Sequence, residues 1–239
     1  MIVLRAIVLM AVVALITPPY SLIAMASAPL PRILRYRIIA TWADIVLWVI
    51  AHVCRLDYRV LGAENLPRRA SVILAKHQSA WETMAFQQIL PPQAYVLKRE
   101  LLRVPFFGWG LARFPNISID RSAGKDALAQ VLEQGEKLLR EGFCVVVFPE
   151  GTRTAPGTTR RYKAGGAALA AASGAPAVPV AHNAGEFWRK GKLVPRPGTI
   201  TVSIGPAIDT AGLAPAQINQ HAQDWIEAEM RRLFPHHYA

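Results

Sequence analysis

The chain reads as an α/β protein, a mainly parallel, helix-flanked sheet preceded by an N-terminal two-helix membrane anchor. Three observations predict this. Short runs such as Val72-Ile73-Leu74 and Cys144-Val145-Val146-Val147 are apolar throughout, as strands covered on both faces are. Between such runs lie stretches with helical spacing, for example Leu128, Val131, Leu132, Leu138 and Leu139, and strands alternating with helices build one sheet with helices on its faces. Finally, the 52% share of hydrophobic residues is high for a freely soluble protein, and much of that excess falls in residues 1–56. The division expected is therefore 1–56 as membrane-anchoring helices and 57–239 as the α/β domain.

The first segment, residues 1–16, is apolar except for Arg5, and an apolar stretch resumes at Tyr20 after Thr17-Pro18-Pro19. The proline pair should interrupt or kink a helix here, because it removes backbone donors and crowds the preceding turn. A cleavable signal peptide also fits, with Arg5, the run 6–16 and the small residues Ala24 to Ala28 as its three regions. Against that, a second hydrophobic segment, 38–53, follows at once. Arg32, Arg35 and Arg37 precede this segment and Arg55 and Arg59 follow it; basic residues on both flanks disfavour a single clean span. With Asp44 and His52 inside it, the segment lies in the interface, with Trp42 and Trp48 near headgroup level, or packs as a core helix.

From residue 57 the pattern changes. Strands are expected at 57–61, 71–75, 94–97, 116–120, 144–148, 177–181 and 199–204, with helices at 81–90, 123–141, 165–173 and 215–233. The run Gly165 to Ser173 is built of small residues and should pack tightly. Pro105-Phe106-Phe107-Gly108-Trp109 forms a greasy, short-helical patch. Cys54 and Cys144 sit inside apolar runs without metal-ligand spacing and read as buried thiols.

Lys and Arg total 27 against 16 acidic residues, a formal charge of +11, which points to an anionic partner. No helix-turn-helix, zinc-finger or RNP pattern is present, so no nucleic-acid partner is expected.

The chemistry should gather at the strand ends. His77 follows the strand at 71–75, Lys98 the next, Arg121 the one ending at Asp120, and Glu150 with Arg153 the one ending at Phe148. In a parallel sheet these ends lie along one edge, where open α/β folds bind ligands. A crevice with a histidine base and several cations suits a substrate carrying a hydroxyl and a phosphate. Ser79-x-x-Glu82 is also a helix-start signature, so Glu82 has a capping role, a catalytic one, or both. Without a further pattern, Lys98, Arg99 and Arg121 read by default as solvated charges at loop starts.

Taken together, His77-x4-Glu82, Lys98-x-Glu100-Leu101 with Pro105-Phe106-Phe107-Gly108, Ile119-Asp120-Arg121, Phe148-Pro149-Glu150-Gly151-Thr152-Arg153 and Val178-Pro179-Val180 resemble, in order, the four motif blocks of the glycerolipid acyltransferases. The likeness is greatest to the bacterial lysophosphatidate acyltransferases and covers about residues 70 to 185. The usual first block is Asn-His-x4-Asp; this chain has Lys76 before the histidine and the longer Glu82 in place of aspartate.

The resemblance implies acyl transfer from acyl-CoA or acyl-carrier protein to the 2-hydroxyl of lysophosphatidate at the cytoplasmic face of the inner membrane. His77 is then the general base and Glu82 its orienting partner. Lys98, Arg121 and Arg153 hold the glycerol phosphate, and Glu150, Gly151 and Thr152 belong to the same pocket. No cofactor and no metal are implied. Three readings stay open beside it: an acceptor such as a lyso-ornithine lipid, a thioester hydrolase using water, and a membrane-bound phosphate-recognising scaffold.

Overall fold

The computed structural model describes residues 2–119 and 125–238. Seven strands form one sheet: β1 (Leu56–Leu61), β2 (Val72–Ala75), β3 (Gln93–Lys98), β4 (Asn116–Ile119), β5 (Cys144–Val147), β6 (Ala177–His182) and β7 (Gly198–Ile204), in the order β1-β7-β6-β2-β5-β3-β4. Every pairing is parallel except β6 with β7. The sheet is thus a five-strand parallel block with a reversed pair, β7 and β1, added at one side. Strands β2, β5 and β6 are buried along their whole length, which is why their sequences are apolar without alternation. Pro179 sits in β6 despite lacking a donor. It lies where the ladder to β7 ends at Ile204 and only the Gly205 amide reaches back to its carbonyl, so no ladder bond is lost.

The helices are α1 (Ile2–Ala26), α2 (Arg32–His52), α3 (Trp81–Ile89), α4 (Phe107–Arg113), α5 (Lys125–Arg140), α6 (Gly165–Ser173), α7 (Ala184–Phe187) and α8 (Pro215–Leu233). The small-residue helix α6 packs as closely as its composition predicts: a Cβ on Gly166 would come within 2.6 Å of Leu74 and 3.1 Å of Val147. Gly135 of α5 does the same against Leu169, where a Cβ would meet the side chain at 2.6 Å. Alanine at either position would force a shift in a packed interior, a cost of about 1–3 kcal/mol.

The N-terminal segment differs in detail from the expectation. Helix α1 continues through Pro18 and Pro19 without a break, and the Thr17 hydroxyl donates to the Val13 carbonyl at 2.6 Å in that turn. It is the one helix among the described residues long and apolar enough to cross a membrane by length and composition, and only 11% of its most apolar window is buried. Helix α2 takes the core-helix alternative: Val46, Leu47, Val49 and Ile50 share a buried cluster with Leu9 of α1 and with sheet residues such as Ile73 and Val202. Its outer face still presents Trp48, 60% exposed. Helix α1 also seats on α4, its Ser21 hydroxyl donating to the carbonyl of Phe106, a residue held at φ 59.

Candidate active site

The turn after β2 is where backbone and side chains converge. Ladder bonding ends with the Lys76 amide donating to the Val180 carbonyl, after which the chain leaves the sheet and its peptide groups need new partners. Side chains supply them. The His77 amide donates to Glu150 Oε2 at 2.7 Å, and the His77 carbonyl accepts from the Thr154 amide at 2.8 Å and from its hydroxyl at 3.1 Å. The amides of Gln78 and Ser79 both donate to Glu82 Oε1, at 2.9 and 2.8 Å. His182 donates from Nε2 to the Lys76 carbonyl at 2.7 Å while its Nδ1 accepts the Ala184 amide at 3.2 Å.

That framework fixes the His77 ring. Nδ1 lies 2.8 Å from Glu82 Oε1, so the nitrogen left for a substrate is Nε2. The ring stacks on Phe148 with centroids 4.0 Å apart and planes at 17°. Glu82 is fully buried. Burial pushes its carboxyl up, but the His182 and His77 rings and the Ser79 amide together outweigh this and hold it below the ordinary carboxylate range. His182 is itself neutral near pH 7, since burial lowers its pKa and its Nδ1 serves as an acceptor. In that state the Glu82 carboxylate is held by its contacts with His77 Nδ1 and with the Gln78 and Ser79 amides. One carboxylate oxygen thus holds both the imidazole and the two amides of the turn that leads into α3, while the helix itself, starting after Ala80, receives no side-chain cap.

His77 opens on a cavity of about 1000 Å³, at the upper end of the usual range for ligand pockets, about 300–1,000 Å³. Its lining includes the cations Lys98, Arg153, Lys163 and Lys190, and apolar residues such as Val13 of α1, Trp42 of α2 and Leu111 of α4. Lys98 lies 3.0 Å from Glu100 and is half exposed. Arg153 makes no ion pair among the described residues. Thr152 accepts a hydrogen bond from Lys190 Nζ at 3.3 Å. Gly151 turns the chain at φ 71, and a Cβ there would meet the Lys163 side chain at 2.9 Å, so glycine satisfies both the backbone and the space.

The structure thus brings His77, Glu82, Lys98, Gly151, Thr152 and Arg153 to one edge of the parallel block. Arg121 lies outside the described residues. Glu150 is placed differently from the others: it is buried and does not line the cavity, its carboxylate holding the His77 amide on one oxygen and Lys76 and Thr154 on the other. It acts on the pocket through the backbone of His77.

Sequence reading missed four contributors. Lys76 is completely buried, with Nζ 2.9 Å from Glu150 Oε1, 2.7 Å from Glu227 Oε1 and 3.2 Å from the Thr158 carbonyl. Burial opposes its charge, but Glu150 and Glu227 outweigh that and raise its pKa, so it stays an ammonium. Glu227 completes the group, accepting from the Thr159 hydroxyl at 2.8 Å as well; an acid beside Ile226 on the apolar side of α8 was the available signal. Lys163 and Lys190 belong to basic runs visible in the sequence, and nothing in those runs says which members face the cavity. The thiols of Cys54 and Cys144 are free and buried, and burial pushes both up.

A family model described as Acyltransferase matches residues 57–183. The 1-acyl-sn-glycerol-3-phosphate acyltransferase of Pseudomonas aeruginosa is 45% identical over 210 residues, spanning 86% of this chain and 82% of that one. The human enzyme named 1-acyl-sn-glycerol-3-phosphate acyltransferase beta is 32% identical over 170 residues, 70% of this chain and 61% of its own length. Among solved structures, the 1-acyl-sn-glycerophosphate (LPA) acyltransferase from Thermotoga maritima superposes with a TM-score of 0.81, covering 97% of this chain and 95% of that one at 20% identity, a likeness of fold. With a family model over more than half its length and a relative matched along most of both chains, the chain belongs to the acyltransferase family.

Proposed function

We propose that this chain transfers a fatty acyl group from an acyl thioester to the 2-hydroxyl of 1-acyl-glycerol-3-phosphate, giving phosphatidate. The single observation that carries the reading is the cavity itself, which is lined together by His77, paired with the buried carboxylate of Glu82, by the cations Lys98, Arg153, Lys163 and Lys190, and by apolar side chains of α1, α2 and α4. A lysophosphatidate needs all three: a base for its hydroxyl, cations for its phosphate, and apolar space for acyl chains.

In the reaction, His77 Nε2 takes the hydroxyl proton as the oxygen attacks the thioester carbonyl. The imidazolium that forms is stabilised by Glu82 through Nδ1–H. Collapse of the tetrahedral intermediate breaks the C–S bond, and the proton passes from His77 to the departing thiolate. No enzyme nucleophile is required. Lys98 and Arg153 pair with the phosphate, with Lys163 and Lys190 beside them, and Gly151 and Thr152 shape the loop between. Either acyl-CoA or acyl-carrier protein, both anionic, suits the +11 chain as donor.

We assign residues 1–56 to membrane attachment and 57–239 to the catalytic domain, on the inner (cytoplasmic) membrane with the domain facing the cytoplasm. The support is the exposed apolar surface of α1, including Val3 at 66% and Leu15 at 77% exposure, together with Phe106, Phe107 and Trp109 beside it.

The deciding experiment is mass analysis of the products formed by purified protein from mixed lysolipids and acyl donors. Phosphatidate formation dependent on lysophosphatidate is expected. Free acid released at the same rate with and without lysophosphatidate would replace transfer with hydrolysis. His77→Ala should lower acyl transfer by about 1,000-fold or more while membrane association, measured by vesicle sedimentation, is retained; undiminished turnover would remove His77 as the base.

A further inference from the structure

Away from the His77 cavity, three side chains of metal-ligand type converge. Glu186 of α7 meets His236 and His237 of the terminal 3-10 turn (Pro235–His237), with one ligand atom of each within 4.8 Å of the others. His236 Nε2 is 3.5 Å from Glu186 Oε1 and His237 Nε2 is 3.2 Å from Oε2. The two imidazoles are consecutive in sequence, yet their rings lie only 4.1 Å apart and both aim at one carboxylate.

The spacing is informative. With zinc–ligand bonds of about 2.0–2.2 Å, adjacent corners of a tetrahedral site stand about 3.3 Å apart, and each imidazole stands at about that separation from a different oxygen of the one carboxylate, so a small turn of Glu186 suffices to offer both a shared ion. Two imidazoles and a carboxylate form the donor set of three-ligand zinc sites with an open fourth position. The same nitrogen-rich set disfavours magnesium and calcium, which take oxygen ligands.

The carboxylate is also held from behind, as ligands in metal sites usually are. Asn183 Nδ2 donates to Glu186 Oε2 at 2.9 Å, and Asn183 Oδ1 accepts the Thr201 amide at 2.9 Å, which ties the cluster to β7. Gly157, at φ 75, lets the loop after Arg153 pass so close to the terminal turn that a Cβ there would fall 2.2 Å from the His237 carbonyl oxygen. From these contacts we propose that Glu186, His236 and His237 bind a zinc-class divalent ion, which fastens the terminal turn to α7 and over the loop 150–164. This site is independent of the acyl-transfer reading.

The test uses the full-length, untagged chain in detergent, stripped with EDTA and titrated with zinc chloride by calorimetry. Saturable binding of one ion per chain is expected, with a rise in Tm that EDTA reverses. The double variant His236→Asn with His237→Asn should bind zinc about tenfold or more weakly and show no zinc-dependent rise in Tm. Glu186→Gln, which keeps the shape of the side chain, should weaken binding in the same direction and guards against loss of fold in the double variant. Absence of saturable binding, or equal affinity in the wild type and both variants, overturns the proposal.

Discussion

Lys76 and His77 are neighbours in the chain and opposites in surroundings. The extended backbone leaving β2 sends successive side chains to opposite sides. His77 goes to the cavity, where one nitrogen is engaged and the other is left for chemistry. Lys76 goes to a buried pocket and makes contact with Glu150, Glu227 and the Thr158 carbonyl. Glu150 joins the two sides, taking the His77 amide on one oxygen and Lys76 on the other. The turn that carries His77 is thereby held from behind: Lys76 and Glu150 are buried on the side away from the cavity, so nothing that enters the cavity competes for them.

Either side of the turn can be disabled on its own. On the cavity side, Glu82→Gln keeps an oxygen for the Gln78 and Ser79 amides but removes the charge facing the imidazolium. A fall in kcat of about 100- to 10,000-fold, with Tm changed little, would separate the charge facing the ring from the holding of the Gln78 and Ser79 amides. On the sealed side, Lys76→Met leaves Glu150 and Glu227 buried without their cation and should cost about 3–5 kcal/mol in urea unfolding. Adding Glu227→Gln should restore part of that loss, and purely additive effects would show that the two residues do not act as a pair.

A smaller effect is expected at the cavity's cations. Arg153→Ala should raise KM for the phosphate-bearing acceptor about 10- to 100-fold, the size of a lost charge-assisted hydrogen bond, with kcat nearly unchanged; an unaltered KM would remove Arg153 from phosphate binding. The smallest effect is in acid. Because the Glu82 carboxyl is held below its ordinary value of 4.5 in the fold, its contribution to stability is fully present above that pH and is lost as pH falls through the folded value. The wild type should therefore lose more stability than Glu82→Gln between about pH 5 and pH 3, measured as Tm against pH.

Legibility in the sequence followed the range of the interactions. His77 and Glu82 are five residues apart at a strand-to-helix junction, and their partnership could be read locally. Strands β2, β5 and β6 were legible because burial on both faces leaves an apolar run. The reversal of β7 was not, since Gly198 to Ile204 carries nothing that encodes which neighbour it joins or in which sense. Pro18-Pro19 should interrupt or kink a helix, and α1 nonetheless runs through both without interruption. Glu150 looked like a pocket residue because its motif is; whether a side chain turns inward or outward depends on partners elsewhere, here Lys76 and Thr154.

The bond between Lys76 and Glu227 spans 151 positions. During synthesis, β2 and its turn emerge long before α8 does, so Lys76 meets its second counter-charge only once α8 has been made and has packed. A chain cut before Glu227 keeps every residue of the His77 turn and the contact of Lys76 with Glu150, yet loses the second carboxylate of the brace behind it.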